Sequence, residues 1–201
     1  MAKITTKDKL LSAALDLFSK KGYDGTSVDE IAESIGIKGP NLYKYFKGKE
    51  ALLQEIGVRA EEGYRKNMGM HSDLRGQIQS AADLKEFSLR QLQYTMNDPT
   101  IQKMRKLYLM EQFRSKEFAM VATKHQYDNM IAMFTPIFAS LIQQGIMIEG
   151  NAEKLAFEYI APITLLIEIS DRDQREQGEI LQRIEEHIDF FISHCFNQKE
   201  K

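Results

Sequence analysis

The apolar residues of this chain recur every three or four positions, and no stretch shows the alternation expected of a strand. Residues 6–22 carry Leu10, Leu11, Ala14, Leu15, Leu17 and Phe18 as one wide stripe, and Gly22 is placed to end that helix. A shorter helix opens at Thr26 or Ser27. Each is a good cap, and Asp29 or Glu30 stands three residues on to close a capping box. Val28, Ile31, Ala32 and Ile35 give this helix one apolar face, and Gly36 follows where a helix end needs a left-handed residue. Gly39-Pro40 restarts the chain as a helix, with Pro40 suited to its first position and Leu42 and Phe46 packing back. Lys49 opens a longer helix reaching Met68, with Leu52, Leu53, Ile56 and Ala60 facing inward. After an irregular connection over 69–76, the pattern predicts helices over 80–97, 100–115 and 116–144, the last with a kink at Pro136. Asn151 caps a further helix that stops at Asp171-Arg172-Asp173, and a final one runs over 177–196. The expected fold is all-α. A three-helix head over residues 1–48 precedes a larger helical bundle over residues 49–201.

The same pattern leaves one surface unused. Within Thr26–Lys49, TSVDEIAESIGIKGPNLYKYFKGK, the residues Lys38, Asn41, Lys44 and Tyr45 point away from the apolar side, with Tyr43 and Lys47 at its margins. Two helices joined by a glycine turn, the second polar and cationic, form the helix-turn-helix pattern that enters a DNA major groove. The segment resembles the DNA-binding motif of the tetracycline-repressor (TetR) family of bacterial regulators. The resemblance lies in Thr26-Ser27-Val28 with Ile31-Ala32, the glycine turn, Leu42-Tyr43, Tyr45-Phe46, and Lys49-Glu50 with Leu52; it extends back over Leu10 to Tyr23. Tyr45 stands where a histidine is common in that family, and Lys38-Gly39 where a serine or threonine is common, so the base contacts are this chain's own. On this reading Lys38, Asn41, Lys44 and Tyr45 face the major groove. Thr26, Tyr43, Lys47 and Lys49 hold phosphates, and Ser27 and Gly39 complete the DNA-binding set. Lys49 also sits at the positive end of its helix, where anions are favoured.

Composition adds charge to this picture. The 201 residues are 43% hydrophobic and 28% charged, ordinary for a soluble globular protein. The net charge of -2 hides an asymmetry: residues 1–50 hold nine lysines against seven acids, and four of those lysines lie between positions 38 and 49. Such local clustering is what phosphate neutralisation requires. No apolar run approaches the roughly 18 residues of a spanning helix, and the N-terminus lacks a secretory apolar region. A lone Cys195 fits a reducing cytoplasm, and no membrane association is expected.

No catalytic constellation stands out. Of His71, His125, His187 and His194, only the last two share a helix face, seven residues apart and too far for chelation. There is no Glu-x-x-His pair, P-loop or Gly-x-Ser-x-Gly, so neither an enzyme, nor a metal, nor a cofactor is expected. The ten methionines are numerous, and several lie in the middle helices, where methionine adapts to irregular apolar shapes. The family resemblance implies a small-molecule effector in this bundle, apolar or amphipathic, for which Tyr108, Phe113, Met130, Phe134 and Tyr159 are the candidate lining. The last two helices carry more apolar surface than one core-facing stripe needs. Ile163, Leu166 and Ile167 on one, with Ile184, Ile188, Phe191 and Cys195 on the other, are expected to divide between the core and a homodimer interface. The expected function is a homodimeric regulator, a repressor that releases palindromic double-stranded DNA on binding its effector. The competing reading is a helix-turn-helix interaction protein controlled by a protein partner.

Overall fold

The computed structural model describes residues 4–67, 73–173 and 177–197. The chain is all-α. In order it forms α1 (Thr6–Lys21), α2 (Val28–Ser34), α3 (Gly39–Leu42), α4 (Lys49–Asn67), α5 (Leu74–Gln77), α6 (Ala81–Asn97), α7 (Pro99–Glu111) and α8 (Lys116–Thr123). A π-helical turn (Lys124–Asp128) then precedes α9 (Asn129–Gln143), α10 (Ala152–Arg172) and α11 (Gln177–Cys195). Among the described residues there is no strand, only an isolated antiparallel bridge between Met147 and Phe196. Most helix ends follow the periodicity. The differences are local: α7 stops at Glu111, the short α5 overlaps the end of the 69–76 connection, and the helix expected over 116–144 is interrupted by the π-helical turn at Lys124–Asp128, with Pro136 inside α9. His71 lies outside the described residues.

The chain divides into two compact units, Met1–Asn67 with Asn97–Ala122, and Met68–Met96 with Thr123–Lys201. The first unit closes around Leu10, Ala14 and Phe18 of α1, Ile31 and Ala32 of α2, Leu42 of α3, Leu52 and Ile56 of α4, and Met104 and Leu107 of α7. Two helices as short as α2 and α3 cannot bury a core alone, so α1, α4 and α7 supply the apolar surface they pack on. Ion pairs tie the supporting helices together: Lys7–Glu55 at 3.0 Å and Asp8–Arg59 at 2.7 Å join α1 to α4, and Lys103–Asp16 joins α7 to α1.

The second unit is built on α6, α9, α10 and α11, with Leu84, Phe87, Phe134, Phe138, Tyr159, Ile184, Ile188 and Phe191 in its core. Its centre is aromatic. Tyr159 lies 5.2 Å from Phe134, 5.6 Å from Phe138 and 4.8 Å from Phe191, ring centre to ring centre, within the range of favourable edge and tilted contacts. The Tyr159 hydroxyl is satisfied by the Ser88 hydroxyl at 2.6 Å, and burial pushes its pKa well above the usual phenol range.

Candidate nucleic-acid interface

The reading surface begins with a cap. Ser27, not Thr26, is the N-cap of α2. Its Oγ accepts the Glu30 N–H at 3.1 Å, and Glu30 Oε2 accepts the Ser27 N–H at 2.9 Å. Lys21 completes the group by donating to Glu30 Oε1 at 2.7 Å. Hydrogen bonds from Lys21 and Ser27 hold the Glu30 carboxyl at about 2, well below the usual carboxylate range. At the far end α2 closes in a Schellman motif. Ile37 N–H donates to Ala32 O at 3.0 Å and Gly36 N–H to Glu33 O at 2.9 Å, with Gly36 at φ +76°. The chain then enters α3 through Lys38 at its N-cap position, with Pro40 in the first turn. α3 lies so close to α2 that a Cβ on Gly39 would overlap the Asp29 carboxylate. Leu42 and Phe46 are buried beneath it, and Phe46 N–H donates back to Leu42 O at 3.0 Å, carrying a helical turn past the end of α3.

What remains outside is a polar and cationic surface. Lys38, Tyr43, Lys44, Tyr45 and Lys47 are exposed and Asn41 is half-buried. Glu55, Glu30, Asp16 and Asp8 are taken by Lys7, Lys21, Lys103 and Arg59 respectively. Among the described residues, Lys38, Lys44 and Lys47 make no ion pair, so their charge is available to an outside anion. Two exposed tyrosines between these lysines have no packing reason to be there. A short helix presenting lysine, amide and phenol groups, backed by a rigid apolar layer, can lie in a major groove and reach both base edges and phosphates.

Residues 10–56 match the family of bacterial regulatory proteins, tetR family. Over 66 residues, 33% of this chain and 32% of that protein, the sequence is 42% identical to the "Probable HTH-type transcriptional regulator YttP" of Bacillus subtilis. Over 49 residues, 24% of this chain and 26% of that protein, it is 47% identical to IcaR, the HTH-type negative transcriptional regulator of the icaADBC biofilm operon of Staphylococcus aureus. Residues 10–56 thus carry the DNA-binding segment of the tetR family. These matches span about a third of YttP and a quarter of IcaR. Over nearly its whole length the chain is similar in fold to SmeT, the repressor of a Stenotrophomonas maltophilia multidrug efflux pump, solved as a triclosan complex. The TM-score is 0.76 at 15% identity, over 96% of this chain and 93% of that one.

Several expected DNA contacts occupy other places. Thr26 is 1% exposed, and its hydroxyl donates to Gly22 O at 2.9 Å, so it fastens the loop before α2 instead of facing outward. Gly39 is buried by its approach to Asp29. Lys49 is half-buried; its ammonium donates to Tyr23 O at 2.8 Å and stands 4.5 Å over the Tyr23 ring. An ammonium has three donors, so two remain for a phosphate.

The five candidate effector residues are not brought together. Tyr108 packs on the core of the first unit, 6.3 Å from the Phe118 ring, and burial pushes its hydroxyl up to about 12. Phe113, in the same unit, is 91% exposed. Met130, Phe134 and Tyr159 belong to the second unit, the last two within its aromatic centre. That unit does carry an apolar groove of about 300 Å³, floored by Ile131, Ile160 and Ala161 and walled by Tyr127, Phe157 and Leu165. Of the residues assigned to an interface, Ile184, Ile188 and Phe191 are core residues, whereas Ile163, Leu166, Ile167 and Cys195 are half-buried at its edge. Exposed apolar surface on α10 and α11 comes instead from Phe157, Leu165 and Phe190. Sequence reasoning missed Glu111, a carboxylate buried in the first unit. The signal was present: Glu111 falls on the Met104–Leu107 face of α7, where the apolar stripe would continue.

Proposed function

We propose that this chain is a homodimeric DNA-binding transcriptional regulator, a repressor that grips a palindromic operator and releases it on binding a small apolar or amphipathic effector. One observation carries the reading: around α3 and the turn after it, Lys38, Tyr43, Lys44, Tyr45 and Lys47 are exposed beside a half-buried Asn41, with no ion pair on the three lysines among the described residues, inside the segment that matches the tetR family. The negative regulator IcaR and the repressor SmeT support repression as the sign of control, and the SmeT–triclosan complex supports an effector. Residues 1–48 then make the DNA contacts, residues 49–201 take the effector and form the dimer, and the protein works in the cytoplasm. The groove beside Tyr127, Phe157 and Leu165 is an accessible apolar surface on which the effector or the partner subunit can act.

Selection from a pool of random-sequence duplexes, followed by affinity measurement across a salt series, tests this. We expect an inverted repeat to be recovered and binding to weaken steeply with salt. Asn41→Ala and Lys44→Ala should each relax the preference at one base position, by on the order of 1–3 kcal/mol. A chain that selects no duplex, or whose binding ignores salt, would overturn the reading.

A further inference from the structure

The loop between α1 and α2 is held more firmly than a connection between two helices requires. Gly22 N–H donates to Phe18 O at 2.9 Å, and the Thr26 hydroxyl donates to Gly22 O at 2.9 Å. Between these two bonds, Tyr23 is gripped through its backbone by two other helices. Its N–H donates to Glu111 Oε1 at 3.1 Å, from the last turn of α7. Its carbonyl accepts the Lys49 ammonium at 2.8 Å, from the first residue of α4. The Tyr23 ring is packed as well, 5.2 Å from Phe18 and 5.7 Å from Phe118.

Glu111 is the unexpected member. It is 1% exposed, and among the described residues its ion-pair partner is Arg114, at 3.8 Å from its carboxylate. The missing side chain of Gly22 leaves it room, since a Cβ there would overlap its carboxylate. Burying a carboxylate with so little compensation costs desolvation, and an apolar residue on this face would cost less. The fold therefore keeps a group that weakens the unit unless its hydrogen bond to Tyr23 matters.

We propose that Glu111 is a positioning residue for DNA binding. It fixes the Tyr23 amide from α7 while Lys49 fixes the Tyr23 carbonyl from α4, and together they set where α2 starts and how α3 meets the groove. α7 is already joined to α1 by Lys103–Asp16 and by the packing of Met104 and Leu107; the Glu111 bond adds a direct tie from the end of α7 to the loop before α2. This rests on the DNA-binding reading above.

Glu111→Leu removes the acceptor, and Glu111→Gln keeps a carbonyl oxygen at the same reach. Affinities are measured for the duplex recovered by selection and for a scrambled duplex of the same length, and hydrogen exchange is followed at the Tyr23 amide of the DNA-free protein. For Glu111→Leu we expect selected-duplex affinity to fall roughly tenfold or more, while scrambled-duplex affinity, set by lysines that are all still present, holds. Glu111→Gln should restore most of the ratio. A purely structural role would lower both affinities together by reducing the folded fraction. The Tyr23 amide should exchange faster in Glu111→Leu and return toward the parent rate in Glu111→Gln. An unchanged ratio in Glu111→Leu overturns the positioning role. If that variant does not fold, the parent decides, because a parental Tyr23 amide exchanging as fast as an unprotected one removes the clamp. A parent that selects no duplex overturns the DNA-binding reading instead, and the exchange result still judges the clamp.

Discussion

Glu30 shows how one side chain can set the start of the reading surface. Its carboxylate takes the Ser27 N–H and the Lys21 ammonium at once, and those bonds hold its pKa at about 2 against an ordinary 4.5. A group whose folded pKa is depressed contributes stability above its unfolded pKa and loses it as pH falls through the folded one. The contribution should therefore be complete above pH 4.5 and fade down to about pH 2. Glu30→Gln should lack this acid-side component, so acid titrations of parent and variant, followed by circular dichroism, should converge at the low end of that window. Parallel curves would show that Glu30 adds nothing. The capping box was legible in the sequence only as a choice between two overlapping pairs. Burial decides it: Thr26 turns inward to Gly22, which leaves Ser27 at the surface to cap α2. Gly39 was legible as part of a turn, but its reason, the Asp29 carboxylate lying against it, comes from the packing of α2 on α3.

At the scale of elements, the helices were legible because their apolar stripes repeat at 3.6 residues and their ends carry Ser, Asp, Asn, Gly and Pro. What each stripe faces was not legible. Periodicity marks an apolar side without saying whether a core, a cavity or a partner lies against it. Hence Phe134 and Tyr159, candidates for an effector pocket, belong to a packed aromatic centre, and of the residues expected to divide between core and interface, Ile184, Ile188 and Phe191 fall to the core. Glu111 escaped for the opposite reason: an acid on an apolar face reads as an interruption until its partner, 88 positions away, is seen. The bond between Ser88 on α6 and Tyr159 on α10 permits a test of how such a centre is held. Tyr159→Phe leaves the buried Ser88 hydroxyl without this partner and should cost about 1–3 kcal/mol in urea unfolding. Ser88→Ala added to it should cost less than the sum of the single changes, because the orphaned group is then gone. Strictly additive values would show that the pair contributes no coupling.

For the whole molecule, the remaining question is what covers the apolar surface of the second unit. Phe157 and Leu165 on α10, Tyr127 on the π-helical turn and Phe190 on α11 are all exposed. Phe157 and Tyr127 are already in contact with each other at 6.2 Å between ring centres. Tyr127, Phe157 and Leu165 line one groove, and such a grouped set of large apolar side chains is the kind of surface that a partner subunit buries. The proposed dimer makes two substitutions behave differently. Ile188 is wholly buried in the unit's own core, so Ile188→Glu should prevent folding whatever the assembly. Leu165 is 55% exposed, so Leu165→Glu leaves the core intact and places a charge only where a second copy would pack. Circular dichroism should show Leu165→Glu folded like the parent. Sedimentation should show the parent as a dimer and the variant shifted toward monomer. In the selection-derived duplex, the variant should lose most of its preference for the full inverted repeat over a single half-site, because each head then binds alone. A parent that sediments as a monomer at micromolar concentration while still preferring the full repeat would sink the dimer, and a Leu165→Glu protein that remains dimeric would move the interface away from this face of α10.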